Sequence, residues 1–275
     1  MKVTIKELLA AADREKYAVP AFNVYNLETL MGIMQAAEEK RAPVILQVYS
    51  RLFESGNAEL LAPSVHKVME KMTVPAAFHL DHGSGQEAVM RALRYGATGI
   101  MIDYSMLPLE ENIAGTKRIA ELCQPCGVPV EGELGHVGTT ADDSFTAFTS
   151  PMEAATFVEK TGVCALAVLV GNAHGHYKKA PNIDIERIGE IYRRTGCPVV
   201  LHGGTGIPDD QIQAAIAAGI RKVNFGTDVC CSFLKGVDQA SRDKVALDLF
   251  LRDAVQCVKD YAMEKMDVLG ATGHG

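Results

Sequence analysis

Residues 75–83 read Pro75-Ala76-Ala77-Phe78-His79-Leu80-Asp81-His82-Gly83. An apolar run enters this stretch, and histidines and a carboxylate end it at a glycine. The run has the length and character of a buried strand. The polar cluster at its end has two readings. One is a hydrogen-bonded strand terminus. The other is a site where a neutral imidazole binds metal and a neighbouring carboxylate moves protons. Two later stretches repeat the pattern: Val168-Leu169-Val170-Gly171-Asn172-Ala173-His174-Gly175 and Pro198-Val199-Val200-Leu201-His202-Gly203-Gly204. Each places a histidine beside glycine after an apolar run. Together His82, His174 and His202 suggest one zinc ion with a position left open for substrate.

Working outward, short apolar runs alternate with helical patterns along nearly the whole chain. Strands are expected over 18–23, 43–48, 75–81, 98–102, 128–134, 164–170, 198–202 and 221–225. Their almost continuous apolar, often β-branched character suits a parallel sheet covered on both faces. Helix starts punctuate the gaps. Asn26 is placed to cap a helix with Leu27, Leu30, Met31 and Met34 on one face. Ser84 with Glu87, and Ser150 with Pro151 and Glu153, read as capping boxes. Leu61, Val65, Val68, Met69 and Met72 share another face, more simply read as core than as a ligand site. About eight strand–helix units in one chain of this length predict a closed (β/α)8 barrel of the TIM type, one α/β domain over residues 1–275. An open doubly wound sheet is weakened because no Gly-x-Gly-x-x-Gly follows the first strand. Residues 266–275 read as a loose tail, which would make His274 irrelevant.

The bulk numbers narrow the function. The chain has 275 residues and a formal net charge of -7, which disfavours nucleic acid or an acidic membrane as partner. Its start is too charged for a signal peptide and no stretch approaches a membrane span, so a cytoplasmic location is expected. The seven cysteines fall mostly in helix or strand patterns, as reduced thiols do. Cys123-Gln124-Pro125-Cys126 has no second pair and sits where a helix should end, so it is read as structural.

A barrel demands that functional residues lie where strands end. Asn23, Asp81, His82, Asp103, Glu133, His174, His202, Asn224 and Thr227 all do. Asp103 and Glu133 are candidates to hold the free imidazole nitrogens or to form a second metal position; capping is the plainer role for Asp103. Gly203-Gly204-Thr205-Gly206 follows the seventh strand, and Asn224-Phe225-Gly226-Thr227-Asp228 the eighth. Glycine turns there let backbone N–H groups approach a phosphate. Among the other histidines, His79 shares the parity of Asp81 and is expected to orient it or to be buried and paired. His66, His136 and His176 are expected to be solvated.

These segments resemble the class II, metal-dependent ketose-bisphosphate aldolases, with the fructose- and tagatose-bisphosphate branches nearest in kind. The matching text includes AFNVYNLET, HLDHG, EGELG, GNAHGHYKKAPN, LHGGTGI and RKVNFGTD, in the family's order from near residue 20 to near residue 230. The resemblance implies a cytosolic zinc lyase of carbohydrate metabolism (glycolysis in the fructose branch), a homodimer or homotetramer. It implies reversible cleavage of a phosphorylated ketose into dihydroxyacetone phosphate and an aldehyde, leaving an enediolate that zinc stabilises. By position His82, His174 and His202 look like the zinc ligands and Asp81 the acid/base. Asp103 and Glu133 look like groups behind the metal. Asn23, Gly175, Gly203, Thr205, Asn224, Gly226 and Thr227 look like the phosphate and substrate cradle. A monovalent cation, Na+ or K+, is implied near backbone around Gly175 and Gly203.

Two positions depart from the family. Ala141 stands where the family has a loop glutamate, so Asp142 or Asp143 is the candidate substitute. Tyr49, followed by Ser50 and Arg51, stands where the family has a small hydroxyl residue. These departures motivate two other readings: an aldolase for a non-standard ketose phosphate, or a diverged sugar-phosphate-binding paralogue without turnover. A Schiff-base aldolase is disfavoured because no lysine lies in 164–172. A metal hydrolase of the His-x-His type is disfavoured because the first strand ends Phe22-Asn23-Val24-Tyr25.

Overall fold

The structure, a computed structural model, describes residues 1–140, 147–177 and 181–275. Eight strands appear: β1 (Val19–Asn23), β2 (Val44–Tyr49), β3 (Ala76–Gly83), β4 (Gly99–Ile102), β5 (Val130–Leu134), β6 (Ala165–Val168), β7 (Val199–Leu201) and β8 (Ile220–Phe225). Their ends fall within two residues of those expected from sequence. Each strand pairs in parallel with the next, and β8 closes onto β1. The chain is therefore a (β/α)8 barrel with helices on the outside. Among the described residues no helix is long and apolar enough to cross a membrane.

Alternation along the strands divides the two faces. Phe22, Phe78, Leu80 and Phe225 are buried outside the barrel wall among helices. The opposite parity fills the interior: His79 and Asp81 on β3, Glu131 and Glu133 on β5, Lys222 and Asn224 on β8. Lys222 reaches across the barrel to both Glu131 oxygens at 3.0 and 2.8 Å, and His79 Nε2 lies 3.4 Å from the same carboxylate. All three side chains are fully buried. Gly99 on β4 is required here. A Cβ at Gly99 would lie 2.7 Å from His79 Nδ1 and 2.5 Å from Ile5 Cγ2. Helix Ile5–Glu15, capped by the Thr4–Glu7 box, lies at the starts of β3 and β4 through Val3 N–H to Ala76 O and Ile5 N–H to Thr98 O.

Several local expectations need correcting. Asn26 caps helix Leu27–Lys40 as expected, but with Thr29 as its partner. The buried face is Leu30, Ile33, Ala36 and Ala37, while Leu27 and Met31 are exposed. The stripe shifts because Gly32 faces helix Arg252–Val268 at a distance that leaves no room for a Cβ, 2.9 Å from Val258 Cβ. Ser84 does not cap the next helix. Its hydroxyl donates to Glu54, the cap is Gly85, and Glu87 pairs with Arg91 instead. Ser150 does cap helix Pro151–Thr161.

The expected loose tail at 266–275 is packed. Met266, Leu269 and Ala271 are buried, Gly273 and Gly275 donate to Arg41 O, and the His274 ring stacks on Tyr17 at 4.3 Å and pairs with Glu15. His66 is not solvated either. Its Nε2 meets Tyr95 O at 2.6 Å and its ring stands edge-on to Phe78. All seven cysteines are free, with Cys123 buried and Cys126 exposed.

Candidate metal centre and substrate cavity

Consecutive residues of a regular strand point to opposite faces, so Asp81 and His82 should not serve one site. The irregularity at the end of β3 resolves this. The β3–β4 register shifts between Leu80 and Gly83, and His82 adopts φ +49°. A bulge of this kind bends the strand and re-aims a side chain. A non-glycine residue at positive φ is costly and is held only where its surroundings over-determine it. Here the fastening is the bond between His82 Nδ1 and Asp103 Oδ2 at 2.8 Å; Asp103 Oδ1 in turn accepts from Ser105 N–H and Oγ.

The three strand-end histidines converge. Ring centroids are 5.0 Å apart for His82 and His174, 4.8 Å for His82 and His202, and 5.8 Å for His174 and His202. One ligand atom from each lies within 4.8 Å of the other two, and His82, Asp103 and Glu133 make a second such group. His82 Nε2, His174 Nε2 and His202 Nδ1 are buried without hydrogen-bond partners, as is Glu133 Oε2. Glu133 Oε2 is 3.2 Å from His202 Nδ1, off hydrogen-bonding geometry, while its other oxygen accepts from Val137 N–H at 3.1 Å. Buried imidazole nitrogens without protein partners are costly unless a cation or a water takes them, and three converging on one point suit a cation. Imidazole donors with nearby carboxylates suit a divalent transition ion such as zinc better than magnesium or calcium.

Partners behind the ligands set which nitrogen faces inward. For His82 the partner is Asp103, as the sequence suggested. For His202 it is Glu131, whose Oε1 meets Nε2 at 3.1 Å and whose charge is held by Lys222. Glu131 and Lys222 were not singled out from sequence. Their signal was period-2 alternation: each stands two residues before a strand-end candidate, Glu133 and Asn224. His79 belongs to this group and pairs with Glu131 rather than orienting Asp81.

The electrostatics favour a cation. Burial opposes charge on His82, but Asp81, the Asp103 hydrogen bond and Glu133 push its pKa up to about 9. Burial, then the other two imidazoles, push His174 down to about 4. Burial works against ionised Asp81, yet His82, His202 and Lys222 outweigh it and hold its pKa below the usual carboxylate value. Asp81 is fixed by Asn23 Nδ2 on Oδ2 at 2.7 Å and Asn224 Nδ2 on Oδ1 at 3.2 Å. It stands as an oriented carboxylate beside the imidazoles.

A cavity of about 100 Å3 adjoins these groups, lined by Asn23, Tyr25, Asp81, His174, Gly175, Gly203, Thr205, Asn224, Gly226 and Thr227. Every residue expected in the cradle is there. Helix Thr227–Gln239 opens on it with no side-chain cap, which leaves its first N–H groups for an anion. Tyr177, in the AHGxY text, ties the β6 and β7 loops together. Its hydroxyl accepts from Ala173 N–H at 2.7 Å and lies within hydrogen-bond reach of Ala173 O and Gly203 O. Asn172 adds a bond to His202 O. The loops approach so closely that a Cβ at Gly203, φ +63°, would sit 2.0 Å from Ala173 O. Gly203→Ala is therefore expected to destabilise the fold by about 1–3 kcal/mol and to weaken phosphate binding, read by thermal melting and calorimetry.

Other expectations fall outside this constellation. His136 is half-buried and meets Ser105 Oγ at 3.1 Å, so it is not simply solvated. His176 is exposed, as expected, beside Cys231. Ala141, Asp142 and Asp143 lie outside the described residues.

A family model for fructose-bisphosphate aldolase class-II matches residues 3–274. The chain belongs to the class-II fructose-bisphosphate aldolase family. It is 40% identical over 279 residues to a probable fructose-bisphosphate aldolase of Bacillus subtilis, covering 98% of each chain. It is 39% identical over 284 residues to a fructose-bisphosphate aldolase of Staphylococcus aureus, again covering 98% of each. The crystal structure of the YdjI aldolase from Escherichia coli superposes with TM-score 0.91 at 35% identity, covering 100% of this chain and 99% of that one. Membership in this aldolase family makes the strand-end cluster its candidate active site.

Proposed function

We propose that this chain is a divalent-metal aldolase that reversibly cleaves a phosphorylated ketose into dihydroxyacetone phosphate and an aldehyde. The observation that carries the reading is the set of three unpartnered imidazole nitrogens beside a fixed, ionised Asp81. His82, His174 and His202 would hold the ion, zinc in this reading, with Asp103 and Glu131 orienting two of them. When bound, such an ion polarises the substrate carbonyl and stabilises negative charge on the carbon fragment left by cleavage.

The chain's own groups supply the rest. The phosphate settles in the cradle of Gly175, Gly203, Thr205, Gly226 and Thr227, and the helix opening at Thr227 favours its charge. That seat directs the sugar toward the imidazoles. Asp81 accepts the proton from the hydroxyl whose carbon becomes the aldehyde, and returns it in condensation. Asn23 and Asn224 keep the carboxylate in one orientation, so no reorganisation precedes the transfer. The proton on the three-carbon half falls to Asp142 or Asp143. A Na+ or K+ ion beside the Gly175 and Gly203 backbone, cytoplasmic location and homodimeric or homotetrameric assembly belong to the same reading. The test is a cleavage screen over ketose phosphates with enzymatic detection of dihydroxyacetone phosphate. Activity lost with chelator and restored by zinc is expected. Binding without turnover across the panel would favour the diverged paralogue instead.

A further inference from the structure

Asn23 closes β1, and the register sets it beside Gln47 on β2, which in turn pairs with His79 on β3. That parity turns Asn23 and Gln47 into the barrel, where both are buried next to Asp81. Gln47 Nε2 donates to Asn23 Oδ1 at 3.0 Å, and Asn23 Nδ2 donates to Asp81 Oδ2 at 2.7 Å. Side chains from three adjacent strands thus form one directed chain of hydrogen bonds. Gln47 stands behind the cavity lining rather than in it, and Asn23 is in the lining.

The direction of the chain is dictated from its far end. An ionised carboxylate only accepts, so Asn23 must offer its NH2 to Asp81. Its Oδ1 is then left facing β2, and Gln47 must present an NH2 in reply. Reversing either amide would set oxygen against oxygen. Gly226 closes another side of the same atom: a Cβ there would lie 3.0 Å from Asn23 Oδ1. The glutamine carries a cost. Its Oε1 is buried without a hydrogen-bond partner among the described residues, and an unmet buried acceptor is unfavourable. An apolar side chain of the same length would fill the place without that cost, so the amide is explained by its donor end.

The second amide on Asp81 lacks such backing. Asn224 Nδ2 reaches Asp81 Oδ1 at 3.2 Å, and its own Oδ1 is buried without a partner among the described residues. The two carboxylate oxygens are therefore unequal. One takes a short bond from an amide that is itself held; the other takes a longer bond from an amide that is not. We propose that Gln47 is a positioning residue for the proton transfer: through Asn23 it fixes Asp81 Oδ2 and leaves Oδ1 as the oxygen that takes the hydroxyl proton of the ketose. The task of Asp81 rests on the aldolase reading; the chain of hydrogen bonds behind it does not.

Two measurements on the zinc-loaded protein test this, the first without turnover. The side-chain NH2 of Asn23, assigned in the NMR spectrum by its loss in Asn23→Ala, should exchange slowly with solvent. Gln47→Met keeps the length of the side chain and removes an unmet acceptor, so the fold should hold; Gln47→Leu is a second, shorter variant. In either, exchange of that NH2 should speed up about tenfold, the factor of one lost hydrogen bond. Cleavage of the ketose phosphate turned over fastest by wild type reads the consequence. In Gln47→Met, kcat should fall about tenfold to a hundredfold, as for a misplaced reacting group, with KM and zinc content unchanged. In the Asn23→Ala background the same substitution should add no further loss. Unchanged exchange, unchanged kcat, or a loss that simply adds to that of Asn23→Ala would overturn the assignment. Should wild type cleave no ketose phosphate while exchange still quickens in Gln47→Met, the aldolase reading falls and the chain from Gln47 to Asp81 stands.

Discussion

Asp81→Asn is expected to lower kcat for ketose cleavage about 10²- to 10⁴-fold, the range for loss of a positioned general base. The substitution keeps the size of the side chain and one acceptor oxygen. It removes the charge that Asn23 and Asn224 hold from both sides at 2.7 and 3.2 Å. Because the orphaned imidazole nitrogens belong to His82, His174 and His202, the metal content of the variant should match wild type. The measurement pairs steady-state kinetics with metal analysis of the same samples. Activity near wild type would remove Asp81 from the proton path. Loss of metal together with activity would recast it as part of the metal site.

Lys222→Met should destabilise the metal-free protein by about 3–5 kcal/mol, since it strands a fully buried carboxylate. Burial alone would raise the Glu131 pKa, but Lys222, the hydrogen bond from His202 and the nearby His79 ring hold it well below its ordinary value. Without Lys222 that balance fails. The double variant Lys222→Met with Glu131→Gln removes both charges and should recover most of the loss, because the interior then holds no unpaired ion. Glu131→Gln should in addition weaken zinc binding about 10- to 100-fold, through loss of the partner that turns His202 Nδ1 toward the other imidazoles. Urea melts of the metal-free variants and competitive zinc titrations read the two effects separately. A double variant no more stable than Lys222→Met would contradict the pairing argument.

What was legible in the sequence follows from where alternation breaks. His82, His174 and His202 could be read because each ends an apolar run beside glycine, and a polar residue at a strand end in a barrel points to the mouth. Glu131 and Lys222 could not be read the same way. They lie within strands covered on both faces, where only their two-residue spacing from Glu133 and Asn224 marks them and each one's partner sits three strands away. The bulge that turns His82 toward Asp103 was also hidden, since it depends on register with β4 and not on local composition. At the surface, Ser84 has the form of a cap but finds Glu54, a partner supplied by tertiary packing. The C-terminal segment is rich in glycine, which reads as loose. Its order comes from the Arg41 carbonyl and the Tyr17 ring, both far away in sequence.

The whole account turns on three imidazoles sharing one ion. The most direct test is a crystal structure of the zinc-loaded protein with anomalous data collected on either side of the zinc edge. One strong peak is predicted, about 2.0–2.1 Å from His82 Nε2, His174 Nε2 and His202 Nδ1. A zinc-loaded crystal with the ion elsewhere, or with these nitrogens turned away from one another, would contradict it.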